Sequence, residues 1–361
     1  MKVYRKGLAI AIIVLFIGAS VVPSISGNIE SGFEKIKSDN INQFDDGLVS
    51  YWSFDEGSGN IVYDDSGNGN DGVNYGASWV DGISQTALKF DGINDCVEVT
   101  DRPSLDITGD ISISTWFKTD EAQCGVILNK FDMANPDNGY CLTMGKLYIP
   151  DDTLSFYIAK DSSIFDVDYD YFTTSDGFAD GIWHHVVATY TPDGSSRPHI
   201  WVDGEEAAGS VSGSPRSSIG ASPGYPFRIG AYSQPDAHSV PFDGAIDEVR
   251  IYERELSEDE IKFLYNHPNG VSEPPNPPLI TGPTNGKAGE EYDYIFIAFD
   301  PEEDDLYYYI DWGVDTFDCD WIGPYASGEE VVVSYTWEKR GTYIIKAKAK
   351  DIYDAKVNGE H

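Results

Sequence analysis

Positive charge is scarce in this chain: 24 Lys and Arg stand against 61 Asp and Glu, a formal charge of −37 at pH 7. That balance excludes nucleic acid and anionic membrane surfaces as partners, because a phosphate surface would be repelled rather than neutralised. It suits divalent cations, cationic partners or a saline medium, and equally suits plain solubility outside a cell. Methionine is down to three residues and helical heptads are absent, a profile that fits turn-rich β-structure better than packed helices. The four cysteines, Cys96, Cys124, Cys141 and Cys319, include no C-x-x-C pair, so no cysteine metal motif is present. Only one long apolar run exists, Leu8 to Val22, and it is shorter than the ~20 residues a spanning helix needs.

That run has a targeting context. Lys2, Arg5 and Lys6 precede it, and Ser24-Ile25-Ser26 before Gly27 is a small-residue cleavage pattern. Residues 1–26 are therefore expected to be a signal peptide, with an uncleaved anchor as the alternative. The protein is expected to be secreted and cell-surface associated, with no membrane span after cleavage. Export permits a disulfide. Cys124 and Cys141 lie on two apolar runs around a Pro/Asn/Asp loop near Asp132 and Met133, so they either bridge across a hairpin or stay as reduced core thiols.

Residues 27–46 read as a polar leader. From 47 to 270 many short strand candidates alternate with Asp-Gly turns, for example at Asp71, Asp91, Asp203 and Asp243, which means a sandwich. After the Asp243-Gly244 turn, Ile246, Glu248, Arg250 and Tyr252 should line one face of a strand. Asp247, Val249 and Ile251 should line the other, placing Asp247 inward. Ser257 with Glu260 is a capping box that should start a short helix. Residues 271–279 form a Pro-rich linker, and 280–361 a second β region. There Tyr292, Tyr294, Phe296 and Ala298 should face a core, while Ile295, Ile297 and Phe299 make the opposite face unusually apolar.

In order, Gly47–Glu56, Asp65–Gly72, Ala87–Gly92, Ile111–Phe117, Trp183–Tyr190, Ile200–Gly204 and Asp243–Ile261 resemble laminin-G-like, concanavalin A-like jelly-roll domains. Phe299–Pro301, Tyr309–Gly313, Tyr335–Trp337 and Gly341–Ala347 are similar to PKD-like immunoglobulin-type domains. The resemblance implies an all-β chain: a jelly-roll β-sandwich followed by a smaller immunoglobulin-like β-sandwich. In similar smaller domains one more strand follows the segment ending near Asp351, so this copy is either clipped or completed by a partner.

Concanavalin A-like sandwiches include glycoside hydrolases, which need two carboxylates flanking the scissile bond. The Glu-x-Asp-x-Glu alternation that would supply them from one strand is missing, so an enzyme is not expected. His184 and His185 read as structural, one packed and one exposed. Asp64 to Asp71 crowds oxygen ligands between glycines, as Ca²⁺ wants. With Asp247 this gives Asp65, Asn68 and Asp247 as candidate ligands, and an Asx-type turn as the alternative. Asp300, Glu302, Asp304 and Asp305 read as a solvated loop rather than a second ion site. Tyr157, Tyr169, Tyr171 and Phe172 are the candidate sugar-stacking aromatics, with ordinary loop packing as the alternative. The expected function is a non-catalytic module binding carbohydrate or a surface glycoprotein. Its rivals are a surface-layer or adhesin fragment with homotypic contacts, and an accessory region of a glycoside hydrolase.

Overall fold

The structure, a computed structural model, describes residues 11–17, 46–132, 137–146, 149–162, 169–232, 240–314 and 321–353. The chain divides into a larger unit, Ile41–Val271, and a smaller one built from Met1–Asn40 with Ser272–His361.

The larger unit is the jelly-roll sandwich. Among the described residues, sheet I has nine strands and sheet II eight. Val97, Ile127, Leu142, Phe156 and Phe227 of sheet I meet Leu88, Ile113, Phe117, Val186 and Ile246 of sheet II in one core. Alternation along each strand supplies these faces, and burial at about 25 cal/mol per Å² holds the layers together. Trp52 crosses the interface, stacking on Phe227 at 5.1 Å between centroids and donating its indole N–H to the Asn70 carbonyl at 2.9 Å.

Asp243–Tyr252 is the last strand of this unit in sequence and an inner strand of sheet II. Ile111–Lys118 runs along one side; Thr86–Asp91 and Leu48–Trp52 share the other. Asp243 and Gly244 belong to the strand itself rather than to a turn before it. At Gly244 (φ +152°) a Cβ would come within 2.5 Å of the Lys118 carbonyl oxygen and 2.8 Å of the Phe242 ring, so only glycine fits.

The strand also bulges. Asp247 opposes Trp116 and Arg250 opposes Ser114, so two residues on one side match the single Thr115 on the other, with Glu248 at φ +54°. The extra residue resets the alternation. Ile246, Val249 and Ile251 enter the core, and Asp247 does not share the face of Val249 as the sequence pattern suggests.

Helix Glu258–Asn266 starts at the expected capping box, with Ser257 and Glu260 bonding reciprocally. Arg254 clasps the Glu260 carboxylate with both guanidinium nitrogens, at 3.0 and 2.7 Å. Tyr265 of this helix stacks on Trp116 at 5.7 Å, covering part of the outer face of sheet II.

In the smaller unit Leu279–Thr281, Glu291–Ile297 and Val331–Thr336 form a three-stranded sheet. It packs on Leu306–Asp311, Ile322–Tyr325 and Gly341–Asp351 through Tyr294, Phe296, Leu306, Tyr308, Trp312, Trp337 and Ile345. One edge of the second sheet is taken by Ala11–Ile17. These residues, from the run read as a targeting segment, pair antiparallel with 341–347.

The alternation of Tyr294, Phe296 and Ala298 into the core holds. On the other face Phe299 is 56 % exposed and Ile295 and Ile297 are half-buried. Replacing Ile295 and Ile297 together by Thr should therefore change stability by less than about 1 kcal/mol, whereas Phe296→Ala should cost roughly 3–5 kcal/mol. Equal losses in urea denaturation would show the face assignment to be wrong.

Candidate functional site

The Asp64–Asp71 loop is organised by Asp64, not by Asp65. One Asp64 carboxylate oxygen accepts from the Tyr51 and Ser66 backbone N–H groups and the Ser66 hydroxyl, and the other from the Asn70 N–H. Asp65 is exposed and accepts from the Ser53 hydroxyl at 2.6 Å. Asn68 is exposed too and donates its amide to the Leu48 and Val49 carbonyls. Asp247, in sheet II, accepts from the backbone N–H groups of Ile83, Ser84 and Glu248. Asp65, Asn68 and Asp247 are thus each engaged by protein partners. Among the described residues of the larger unit, no three Asp, Glu, His or Cys side chains bring ligand atoms within 4.8 Å of one another. The Asp64 bonds are those of an Asx-type turn; a higher melting temperature in excess Ca²⁺ than in EDTA is the expected result if the loop also holds the ion.

Glu248 next to Asp247 is fully buried. One of its oxygens accepts from the Tyr51 hydroxyl (2.6 Å) and from Arg250 (2.8 Å), and the other, Oε1, has no hydrogen-bond partner. The Arg250 guanidinium lies 4.0 Å over the Tyr51 ring. Burial, then the neighbouring Glu248 charge, push Asp247 up to about 8 against the pull of its backbone donors. Burial also raises Glu248 to about 7, with Arg250 acting the other way. These carboxylates latch the bulge to the Ile83–Ser84 loop and to the Leu48–Trp52 strand.

The four candidate aromatics do not share a surface. Tyr171 and Phe172 are neighbours on one strand and point to opposite faces: Phe172 lies in the core between the sheets. Tyr157 is 4 % exposed, stacked on Tyr171 at 4.9 Å and edge-on to Tyr169 at 6.1 Å. With Phe131, Cys141 and Ala159 they form a second apolar cluster on the outer face of sheet I, which is side-chain packing rather than an open platform.

Cys124 and Cys141 are thiols. Cys141 opposes Asn129, while Gly125, next to Cys124, opposes Met144, so the register keeps the two from facing each other. Burial pushes the Cys141 thiol well above its usual range. His184 and His185 are both buried. His184 bonds Asp203 (2.8 Å) and Asp180 (3.2 Å). His185 sits close to the helix residue Tyr265, with Ser114 Oγ at 2.8 Å, which is why neither is exposed.

The open site lies elsewhere on sheet II. Strand pairing aligns Ser78, Lys89, Ala245, Lys118 and Trp183 as one rung across five strands. Around it is a cavity of about 430 Å³, floored by Gly244 and Ala245, with Lys89, Lys118 and Trp183 in its lining. Asp81, Asp120 and Asp243 also line it. Trp183 and Asp243 are half-buried; both lysines, Asp81 and Asp120 are exposed. An indole beside carboxylates and ammonium groups offers a stacking face and hydrogen-bonding groups to a polar ring. Sequence reasoning missed this site because its residues come from five segments; the one local signal is the single lysine on each of the strands Thr86–Asp91 and Ile111–Lys118.

A family model now places the sandwich. Residues 91–262 match the Concanavalin A-like lectin/glucanases superfamily (Laminin_G_3). The matched segment contains Lys118, Trp183 and Ala245 of the rung, together with the latch at Asp247 and Glu248.

Among solved structures, part of the chain is similar to the PKD domain of an M14-like peptidase from Thermoplasmatales archaeon SCGC AB-540-F20. The identity is 55 % over 23 % of this chain and 84 % of that one, with a TM-score of 0.22. It is also similar to a mutant of Trypanosoma rangeli sialidase displaying trans-sialidase activity, at 18 % identity over 62 % of this chain, TM-score 0.46. The chain spans only 33 % of that sialidase. A third similarity is to the receptor binding domain of botulinum neurotoxin mosaic serotype C/D, at 12 % identity over 87 % of this chain and 95 % of that one, TM-score 0.45. No curated protein matches the chain.

Proposed function

We propose that the larger unit is a saccharide-binding module of an exported, cell-surface protein, and that it binds without catalysis. The observation that carries this reading is the open groove on sheet II, where Trp183 lies on one rung with Lys118, Ala245 and Lys89. Aromatic faces pack against the apolar faces of sugar rings, and carboxylates accept sugar hydroxyls; the groove offers both. Pockets of this size with a few convergent polar groups are the usual places for small ligands. The superfamily match supports the same class. Asp247 and Glu248 are held by Ile83, Ser84, Tyr51 and Arg250, which supports a structural role for the most buried carboxylates of sheet II.

A glycan array probed with the whole chain tests the reading. At least one saccharide should bind, and Trp183→Ala should weaken it tenfold or more, while Tyr157→Phe should leave it unchanged. Binding that ignores Trp183 would place the site elsewhere.

A structural role with homotypic contacts is the second reading. It is favoured by the apolar outer face of the three-stranded sheet, where Leu279 is 63 % and Val332 59 % exposed. Concentration-dependent sedimentation combined with a blank array would favour it.

A further inference from the structure

We propose that the groove on sheet II selects saccharides that bear a carboxylate; this rests on the saccharide-binding reading above and specifies its ligand. Cations are few, and six of those described in the larger unit are tied to acids. Lys130 pairs with Asp101, Arg197 with Asp170, Arg228 with Glu98, Arg250 with Glu248, Arg254 with Glu260 and Lys262 with Glu258. Lys89 and Lys118 differ: both are exposed, and among the described residues neither is in an ion pair.

Their placement is specific. Ala245 opposes Lys89 on one side and Lys118 on the other, so the two Cα atoms are two strand spacings apart, about 9–10 Å. The side chain between them is a single methyl group, and the residue before it is Gly244, so the space above the rung stays open. Two ammonium groups on either side of a shallow gap repel each other, and an anion seated between them relieves that repulsion. Each ammonium is a compact charge with three donors on a flexible stem, able to converge on one carboxylate. Trp183, next to Lys118 on the rung, gives the sugar ring its stacking face one strand further on.

The surrounding charge limits the size of the anion. With a net charge of −37, a long polyanion is repelled by the rest of the surface. A short acidic oligosaccharide places its carboxylate between the lysines and leaves its neutral hydroxyls to Asp81, Asp120 and Asp243.

The test titrates the whole chain by calorimetry with a short oligouronate and its carboxyl-reduced neutral counterpart. A parallel pair uses a sialylated trisaccharide and its desialylated form. Within one of these pairs the acidic member should bind at least tenfold more tightly than the neutral one, and the pair that responds identifies the source of the carboxylate. The double variant Lys89→Met, Lys118→Met should erase that preference, so that acidic and neutral members bind alike; Lys89→Arg, Lys118→Arg should retain it. Equal affinity for acidic and neutral members, or a preference that survives the Met variant, overturns the selectivity and leaves the saccharide reading standing. Failure of every saccharide to bind, neutral and acidic alike, overturns both.

Discussion

Arg250→Ala is expected to destabilise the larger unit by about 3–5 kcal/mol, the usual loss when one partner of a buried ion pair is removed. Arg250 is 3 % exposed and Glu248 fully buried. Without the guanidinium, Glu248 keeps only the Tyr51 hydroxyl, and its Oε1 already lacks a hydrogen-bond partner. Replacing both members, Glu248→Met with Arg250→Met, should recover most of the loss, since no charge is then left buried. Guanidinium denaturation of the three proteins decides this. A single variant within 1 kcal/mol of the parent at pH 8, where Glu248 is ionised, would mean that water reaches Glu248 and the latch is not closed.

Raising the pH from 5 to 8 should weaken the same unit by on the order of 3 kcal/mol. Folding raises Asp247 from 3.8 to about 8 and Glu248 from 4.5 to about 7, burial being the first cause for both. Above about pH 4.5 the unfolded chain has released protons that the folded chain still holds. The stabilisation from these groups is therefore complete below about pH 4 and is lost as the pH climbs through 7 and 8. Asp247→Asn should flatten the melting temperature over this range. A parent profile that is already flat, or a variant profile equally steep, would contradict the burial-driven rise.

Much of the architecture was legible because local rules and tertiary packing agree. The Ser257 capping box needs only four residues to specify itself, and Tyr294, Phe296 and Ala298 alternate on a strand with one buried face. What escaped depends on events between distant segments. The bulge at Glu248 is one inserted residue against Thr115, and nothing in Asp243–Tyr252 distinguishes it from a regular strand; hence Asp247 was assigned to the wrong face. Asp243-Gly244 has the chemistry of a turn, yet its glycine is required by the approach of the Lys118 carbonyl from another strand. In the Asp64–Asp71 loop, composition announced oxygen ligands but not that Asp64 spends its own on backbone N–H groups and Asn70 its own on the Ser104 hydroxyl. The Lys89–Ala245–Lys118–Trp183 rung is a product of strand order alone, and strand order is the property least encoded in any one stretch of sequence.

The order of synthesis inherits a constraint from that strand order. Asp243–Tyr252 leaves the ribosome after every other strand of its sandwich, yet Ile111–Lys118 meets Thr86–Asp91 and Leu48–Trp52 only through it. Until it arrives, sheet II is in three pieces with no ladder between them: the strands joined to Ile111–Lys118, those joined to Thr86–Asp91, and Leu48–Trp52 alone. Closure then joins segments about 200 residues apart, a long-range pairing of the kind that slows folding. Any nascent chain stalled before residue 243 is consequently an unfinished half-sandwich, exposed to proteases and chaperones, and the rung that forms the groove comes into being only with this final strand.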